Sequence, residues 1–369
     1  MKFECSQSDL LKVVSQVATV SERKTTMPIL GNVLLEVKDK QLMVGGTDLE
    51  ISILATCSVD TEQNGRICTP AAQFLEIVKR LPKTTAVISK DEQGWLHLHS
   101  GKAHFRISAV DAGEFPKLPK LEEVSFTPIH SELFRKGFDK ISFAISVDEM
   151  RYNLNGVYVE RLGNDIQLVA TDGHRLATYQ KTLEEGHTFN LEKSVTLPRK
   201  GVTEVRRLLS DYQDKFLDVS ITKSGAAFKM GSTTVFMKLV VGDFPDFRAI
   251  LPQTVQKVLV VNKDILLDSI RRVSLLSDGK SKSIKLTVKP DTLLLQANSS
   301  ELGEAQEEIS CEFTSDQLVI GFNAKYLVDA LSVIEGENVH IQLDGEQSPG
   351  VLRSPTDPDA LSLIMPMRI

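Results

Sequence analysis

Cysteine is scarce and scattered. Cys5, Cys57, Cys68 and Cys311 lie far apart along 369 residues, and no two form a C-x-x-C pair. In a chain without a leader, thiols so placed read as buried side chains. The opening MKFECSQSDLLKVV puts Glu4 and Asp9 where a signal peptide needs an apolar core. No apolar run approaches the roughly 20 residues that span a bilayer, so no membrane partner is expected and the cytoplasm is the expected compartment. A surplus of positive charge is also lacking. Lys and Arg number 43 against 49 Asp and Glu, a net charge of −6, which argues against a globally basic nucleic-acid binder. What is present is an ordinary globular composition, 41% hydrophobic and 25% charged, at a length that calls for two or three domains.

The chain repeats itself three times with a period near 125 residues. SDLLKVVSQVATVS begins at residue 8, SELFRKGFDKISFAIS at 131 and NKDILLDSIRRVSLLS at 262. Each opens on Ser or Asn beside an acid, as a helix N-terminus prefers, and then spaces apolar residues for one helical face. Strand-like segments follow each. Thr47 and Thr171 are 124 positions apart, and Ala170 and Ala297 are 127 apart. A second helix is expected in each copy, at 69–82, 197–210 and 322–334. A late strand begins at Gly101 and again at Gly231, leading to Phe115-Pro116 and Phe244-Pro245. The expected architecture is α+β: three repeated domains, 1–124, 125–253 and 254–369, each with two amphipathic helices on antiparallel strands.

Charge is distributed unevenly over these repeats. The six helical stretches together carry +8, leaving −14 for the rest of the chain. Helices gathered on one side would give a basic face on an acidic body, suited to phosphate backbones without reading sequence.

The segment ATDGHRLA (170–177) crowds Asp172, His174 and Arg175 about Gly173. An acid, an imidazole and a guanidinium so close invite a catalytic reading, a hydrolase using Asp172 and His174. The remaining parts of such a site are missing from the sequence. Gly279-Lys280-Ser281 could close a phosphate loop only with glycine at position 274, which is Ser274. G-x-G-x-x-G, H-E-x-x-H and G-x-S-x-G patterns are absent. His97 and His99 share one strand face without a third ligand nearby, so they read as a half-exposed strand and not a metal site.

The repeat, ATDGHRLA and the terminal MPMRI together resemble the bacterial DNA sliding clamps, the beta subunits of DNA polymerase III. MPILGNVLL (27–35), TDLE (47–50), RYNLNG (151–156), PRKGV (198–202), FPDFRAILP (244–252) and GFNAKYLVDAL (321–331) add to the likeness, which runs end to end. The resemblance implies a head-to-tail homodimer, a closed ring of six clamp domains. Helices would line a hole for duplex DNA, and the sheets would form the rim. It implies no catalytic residue, cofactor or metal, and a separate clamp loader that uses the ATP.

The family also implies a pocket where DNA polymerases and repair proteins dock a short peptide. Matched motif to motif, its wall falls on Leu154, Thr171, Gly173, His174, Arg175 and Leu176. Pro245, Ile250, Asn323 and Tyr326 follow, and then Leu363, Met365, Pro366 and Met367. Leucine and methionine suit a leucine or phenylalanine anchor, and Arg175 could close the rim or hold a peptide carbonyl. Lys24, Arg151, Tyr152, Arg199 and Lys200 match positions near the DNA channel. Lys79, Arg80, Arg206 and Arg207 join them from the helix reading. Asn153 departs from the second aromatic that many relatives carry there. For the ring interface, Phe105 and Ile107 are read as exposed-strand residues facing Leu275 and Leu276 at a helix end. The rival to a clamp is a three-domain polyanion-binding scaffold that forms no ring.

Overall fold

Helices form where apolar residues recur every three or four positions behind a capping side chain. They are α1 (Gln7–Val17), α2 (Ala71–Arg80), α3 (Ser131–Ile141), α4 (Arg199–Asp211), α5 (Lys263–Val273) and α6 (Ala324–Val333), the six expected stretches. The computed structural model describes residues 1–21, 27–184, 189–252, 257–279 and 281–368. In α1 the cap is Ser6, two residues before the Ser8-Asp9 pair, and its hydroxyl accepts from the Asp9 N–H at 3.0 Å. Asn262 caps α5 in the same way, accepting from the N–H groups of Asp264 and Ile265. Such caps satisfy N–H groups that have no partner inside the helix, each worth about 1 kcal/mol.

Contacts divide the chain into two units, one of Met1–Ser131 with Lys200–Leu239 and one of Glu132–Arg199 with Val240–Ile369. The division passes through the middle repeat because successive repeats share sheets. Every strand pairing among the described residues is antiparallel.

The first unit holds two sheets. One has five strands in the order Asp60–Gln63, Lys2–Ser6, Thr85–Lys90, Leu96–Ser100, Ala103–Ile107. The other has eight, and its two halves join where Thr233–Met237 pairs with Ile51–Ser58, Val235 opposite Ile53. Helix α1 buries Leu10, Val13, Val14 and Val17. Helix α4 lies close against Thr233–Met237, and a Cβ on Gly201 would sit 2.6 Å from the Met237 sulfur. Gly101 (φ +58 at its counterpart Gly231) is a turn residue, so the late strands begin two residues later than expected, at Ala103 and Thr233.

The second unit repeats the plan. Its eight-stranded sheet joins two halves where Arg175–Thr182 pairs with Asp357–Ile364, Leu176 opposite Leu363. A four-stranded sheet has Gly303–Ser310 at one edge and Leu318–Asn323 at the other. Leu266 and Ile270 of α5 and Leu327 and Leu331 of α6 pack with Leu286, Leu295, Ile320 and Phe322 in one core. Each such side chain contributes about 1.5–3 kcal/mol on burial.

One helix charge expected at the surface is buried. Lys140 of α3 is 5% exposed and its ammonium lies 2.5 Å from Asp357, 3.0 Å from Glu335 and 2.7 Å from the Val333 carbonyl. Ile107 is likewise 8% exposed, opposite Leu96 in the core of the first sheet. Alternation along the strand turns it inward, which corrects its reading as an exposed residue. Phe105 and Leu276 are half-buried, and Leu275 is 75% exposed.

Candidate functional site

The segment 170–177 is a tight hairpin between Asp165–Thr171 and Arg175–Thr182. Asp172 organises the turn: its Oδ1 accepts from the N–H groups of His174 (2.9 Å) and Arg175 (3.0 Å). The Thr171 hydroxyl donates to the Arg175 carbonyl and accepts from the Gly173 N–H. Gly173 has φ +87, and a Cβ there would meet the Arg151 guanidinium at 2.6 Å. The backbone angle calls for glycine here, and the Arg151 side chain occupies the space that a Cβ would take. That guanidinium donates to the Asp172 carbonyl at 3.0 Å.

Arg175 is 8% exposed and faces inward, which leaves it little surface for closing the rim or holding a peptide carbonyl. Its Nε donates to Asp172 at 3.0 Å and its Nη1 to Asp329 at 2.6 Å. The guanidinium lies 4.4 Å from the Tyr326 ring centre and 5.3 Å from that of Phe143. The planar cation thus braces the wall from behind, tying the hairpin to α6. Burial, with Asp172 nearby, raises the pKa of Tyr326. His174 is exposed and stacks with Tyr326 at 6.4 Å, while its carbonyl accepts from the Met365 N–H. Asp172 is bonded to two backbone N–H groups and a guanidinium, so it shapes a turn; the catalytic pairing with His174 is not what its bonds serve.

Around this wall the sequence-expected residues come together in the second unit. Leu176 and Leu363 are fully buried, packed with Val169, Phe247, Val351 and Leu361, with Phe244 and Tyr158 stacked at 4.7 Å beside them. Pro245 is exposed between Phe244 and Phe247, and Ile250 (42% exposed) ends the following turn. Leu154 is buried. Asn323 caps α6, accepting from the N–H groups of Lys325 and Tyr326. Met365 is 36% exposed, Pro366 and Met367 are half-buried, and the Met367 N–H bonds the Gly321 carbonyl. The result is a hydrogen-bonded wall with thioether and aliphatic groups on its surface, suited to gripping apolar side chains of an extended peptide. Asp329 and Phe143 were missed from sequence; Asp329 lies 154 residues from its partner Arg175, beyond any local signal.

The cationic candidates fall in several places. Lys24 lies outside the described residues. Lys79 and Arg80 end α2, each within 3.3 Å of Glu76, and Arg80 is 79% exposed. Arg199 and Lys200 begin α4, where Lys200 pairs with Asp48 at 2.9 Å. Arg206 is exposed, whereas Arg207 turns back to Glu204 and the Gln16 carbonyl. Arg151 is held by the hairpin, and Tyr152 is 61% exposed. Asn153 donates to the Asp243 carbonyl at 3.0 Å, tying its turn to the loop before Pro245. Among the described residues no three His, Cys, Asp or Glu side chains are grouped as metal ligands, and no helix is long and apolar enough to cross a membrane.

Fold and site define a class: repeated two-helix, antiparallel-sheet segments, with several sequence-distant stretches of the second unit meeting in one largely apolar wall. Comparison with known proteins gives the family. Models of the DNA polymerase III beta subunit match in three parts, its N-terminal domain at residues 1–119, its central domain at 128–246 and its C-terminal domain at 248–368. The beta sliding clamp of Pseudomonas aeruginosa is 34% identical, and that of Escherichia coli K12 33%, with both chains covered in full. A sliding clamp structure from Bartonella birtlesii, bound to griselimycin, superposes over the full length of both chains with a TM-score of 0.95 at 31% identity. The chain belongs to the DNA polymerase III beta subunit family, the beta sliding clamps.

Proposed function

We propose that this chain is a replication processivity factor: two copies close head to tail around duplex DNA, and the Gly173 wall tethers polymerases and repair proteins by short peptides. The observation that carries this reading is the full-length, three-part match to beta clamps. The Caulobacter crescentus clamp, 32% identical with a TM-score of 0.93, has polyethylene glycol bound in the region assigned there to tethering beta motifs. The three domains span 1–124, 125–253 and 254–369.

In this reading the chain does no chemistry. Helical cations, Lys79, Arg80, Lys200 and Arg206 among them, give a diffuse attraction to phosphates; topology retains the DNA and lets the ring slide. A clamp loader supplies the ATP-driven opening, and the bacterial cytoplasm is the compartment. The ring contact joins the edge strand Ala103–Ile107 of one copy to the edge strand Gly303–Ser310 of the next, with Phe105, Leu275 and Leu276 packed beneath. Ile107 serves as core support for that edge. Pairing edges in this way covers N–H and C=O groups otherwise open to aggregation.

Loading onto a nicked circle by a bacterial clamp loader with ATP tests the ring. The complex is isolated at high salt and the circle then cut once. Retention on the circle and loss on linearisation are expected; equal retention on both forms would replace the ring with the scaffold reading. Leu275→Asp places a charge in the proposed contact and is expected to leave a folded monomer by sedimentation, which an unchanged dimer would contradict.

A further inference from the structure

The two edge strands differ in chemistry. On Ala103–Ile107, His104 and Arg106 point outward while Phe105 and Ile107 turn to the core, and Lys102 stands in the preceding turn. On Gly303–Ser310, Glu304, Gln306 and Glu308 are exposed and Ile309 is buried. Glu307 is already engaged by Arg272 at 2.6 Å and Ser269 at 2.7 Å. One edge therefore presents basic and titratable groups and the other presents two exposed carboxylates.

His104 stands directly across from His99 in the neighbouring strand, and their Nδ1 atoms are in hydrogen-bond contact. Such a contact needs one N–H and one lone pair. The pair can take up one proton and keep its bond, but a second would set two donors face to face. The surroundings decide where that proton resides. His97 stacks on His99 at 6.4 Å and is itself bonded to Asp91 at 2.8 Å. Arg106 lies over the Trp95 ring and donates to Gln93. The adjacent strand sets uncharged Val87 and Ser89 opposite His99 and His97; Glu4 and Lys2 lie one strand further, Lys2 paired with Glu62. Burial first, then His104 and His97, lowers the pKa of His99. His104 is the exposed member of the pair, on the edge strand, and His99 the half-buried one behind it, so the open edge presents His104.

We propose that His104, backed by His99, meets the Glu304 and Glu308 face of a second copy, so that the ring tightens as pH falls through the histidine range. This rests on the head-to-tail reading above. Neutral at higher pH, the pair offers the acidic edge only a dipole; once protonated it offers a charge. Dimerisation then takes up a proton at each of two equivalent contacts, and linkage requires tighter association at lower pH.

Sedimentation equilibrium of the full chain at about pH 8 and about pH 6 reads the effect. The wild type is expected to dimerise about two- to tenfold more tightly at the lower pH, the range for two exposed ion pairs. His104→Gln is expected to dimerise with no such dependence, and Glu304→Gln combined with Glu308→Gln to flatten it equally. A wild-type dimer with the same affinity at both values, or one that weakens, overturns the histidine assignment and leaves the ring standing. Retained pH dependence in the Glu304/Glu308 double variant overturns the acidic edge as the partner. A chain that stays monomeric at every concentration and pH overturns the ring reading itself.

Discussion

Lys140→Ala is expected to destabilise the second unit by about 3–5 kcal/mol, the range for removing one partner of a buried ion pair. The ammonium is 5% exposed and is shared by Asp357, Glu335 and the Val333 carbonyl. Truncation leaves the Asp357 side chain, 12% exposed, charged and without its cation. Replacing both Lys140 and Asp357 with apolar residues should recover most of the loss, because the uncompensated charge disappears with its partner. Hydrogen exchange on α3 and on Asp357–Ile364 is the direct measurement, and unchanged protection there in Lys140→Ala would sink the argument. The pH dependence has a defined sign. The hydrogen bond from Lys140 lowers the pKa of Glu335 below its ordinary 4.5. Its contribution is complete above the unfolded value and is lost as pH falls through the lower folded one. Glu335 is 54% exposed, so solvent screens most of it, and the acid-range slope should flatten only slightly in the variant.

Lys140 also marks where the sequence stops being informative. All six helices were legible, because apolar spacing and caps are local signals that survive any tertiary context. Which helix charge is buried is not local. Lys140 meets Glu335 and Asp357 only because the fold brings α3 beside residues about 200 positions further on, while Arg80 reads identically in sequence and stays in solvent. Sheet sharing is hidden for the same reason. Nothing within Thr233–Met237 or Ile51–Ser58 announces that the two will pair, so the sequence does not reveal that each eight-stranded sheet joins halves of two repeats. Ile107 was recoverable: strict alternation through His104, Phe105, Arg106 and Ile107 assigns it inward, and only an assumption of exposure hid it. At the docking wall, the turn was legible from Asp172 and Gly173, but the role of Arg175 was not, since Asp329 and Phe143 are remote from it in the chain.

That role leads to a large expected effect at the wall. Arg175→Ala is expected to weaken binding of a fluorescent peptide with a leucine–phenylalanine anchor by more than about tenfold, or 1.4 kcal/mol, although Arg175 has little surface to offer a peptide. The loss comes from two carboxylates, Asp172 and Asp329, that share one guanidinium at 3.0 and 2.6 Å. Without it they repel, Asp172 loses the bond that helps fix the turn at Gly173, and Tyr326 loses the cation 4.4 Å from its ring. Surface that was set before the peptide arrives must then be ordered on binding, which costs affinity. Arg175→Lys keeps the charge but not the flat, forked donor set, so it is expected to restore only part of the affinity. Destabilisation alone does not account for such a loss if Lys140→Ala, equally damaging to folding, binds the peptide normally at a temperature where both variants are folded. Peptide affinity unchanged in folded Arg175→Ala would mean that the hairpin holds its shape without the brace, with the Asp172 backbone bonds sufficient to fix the wall.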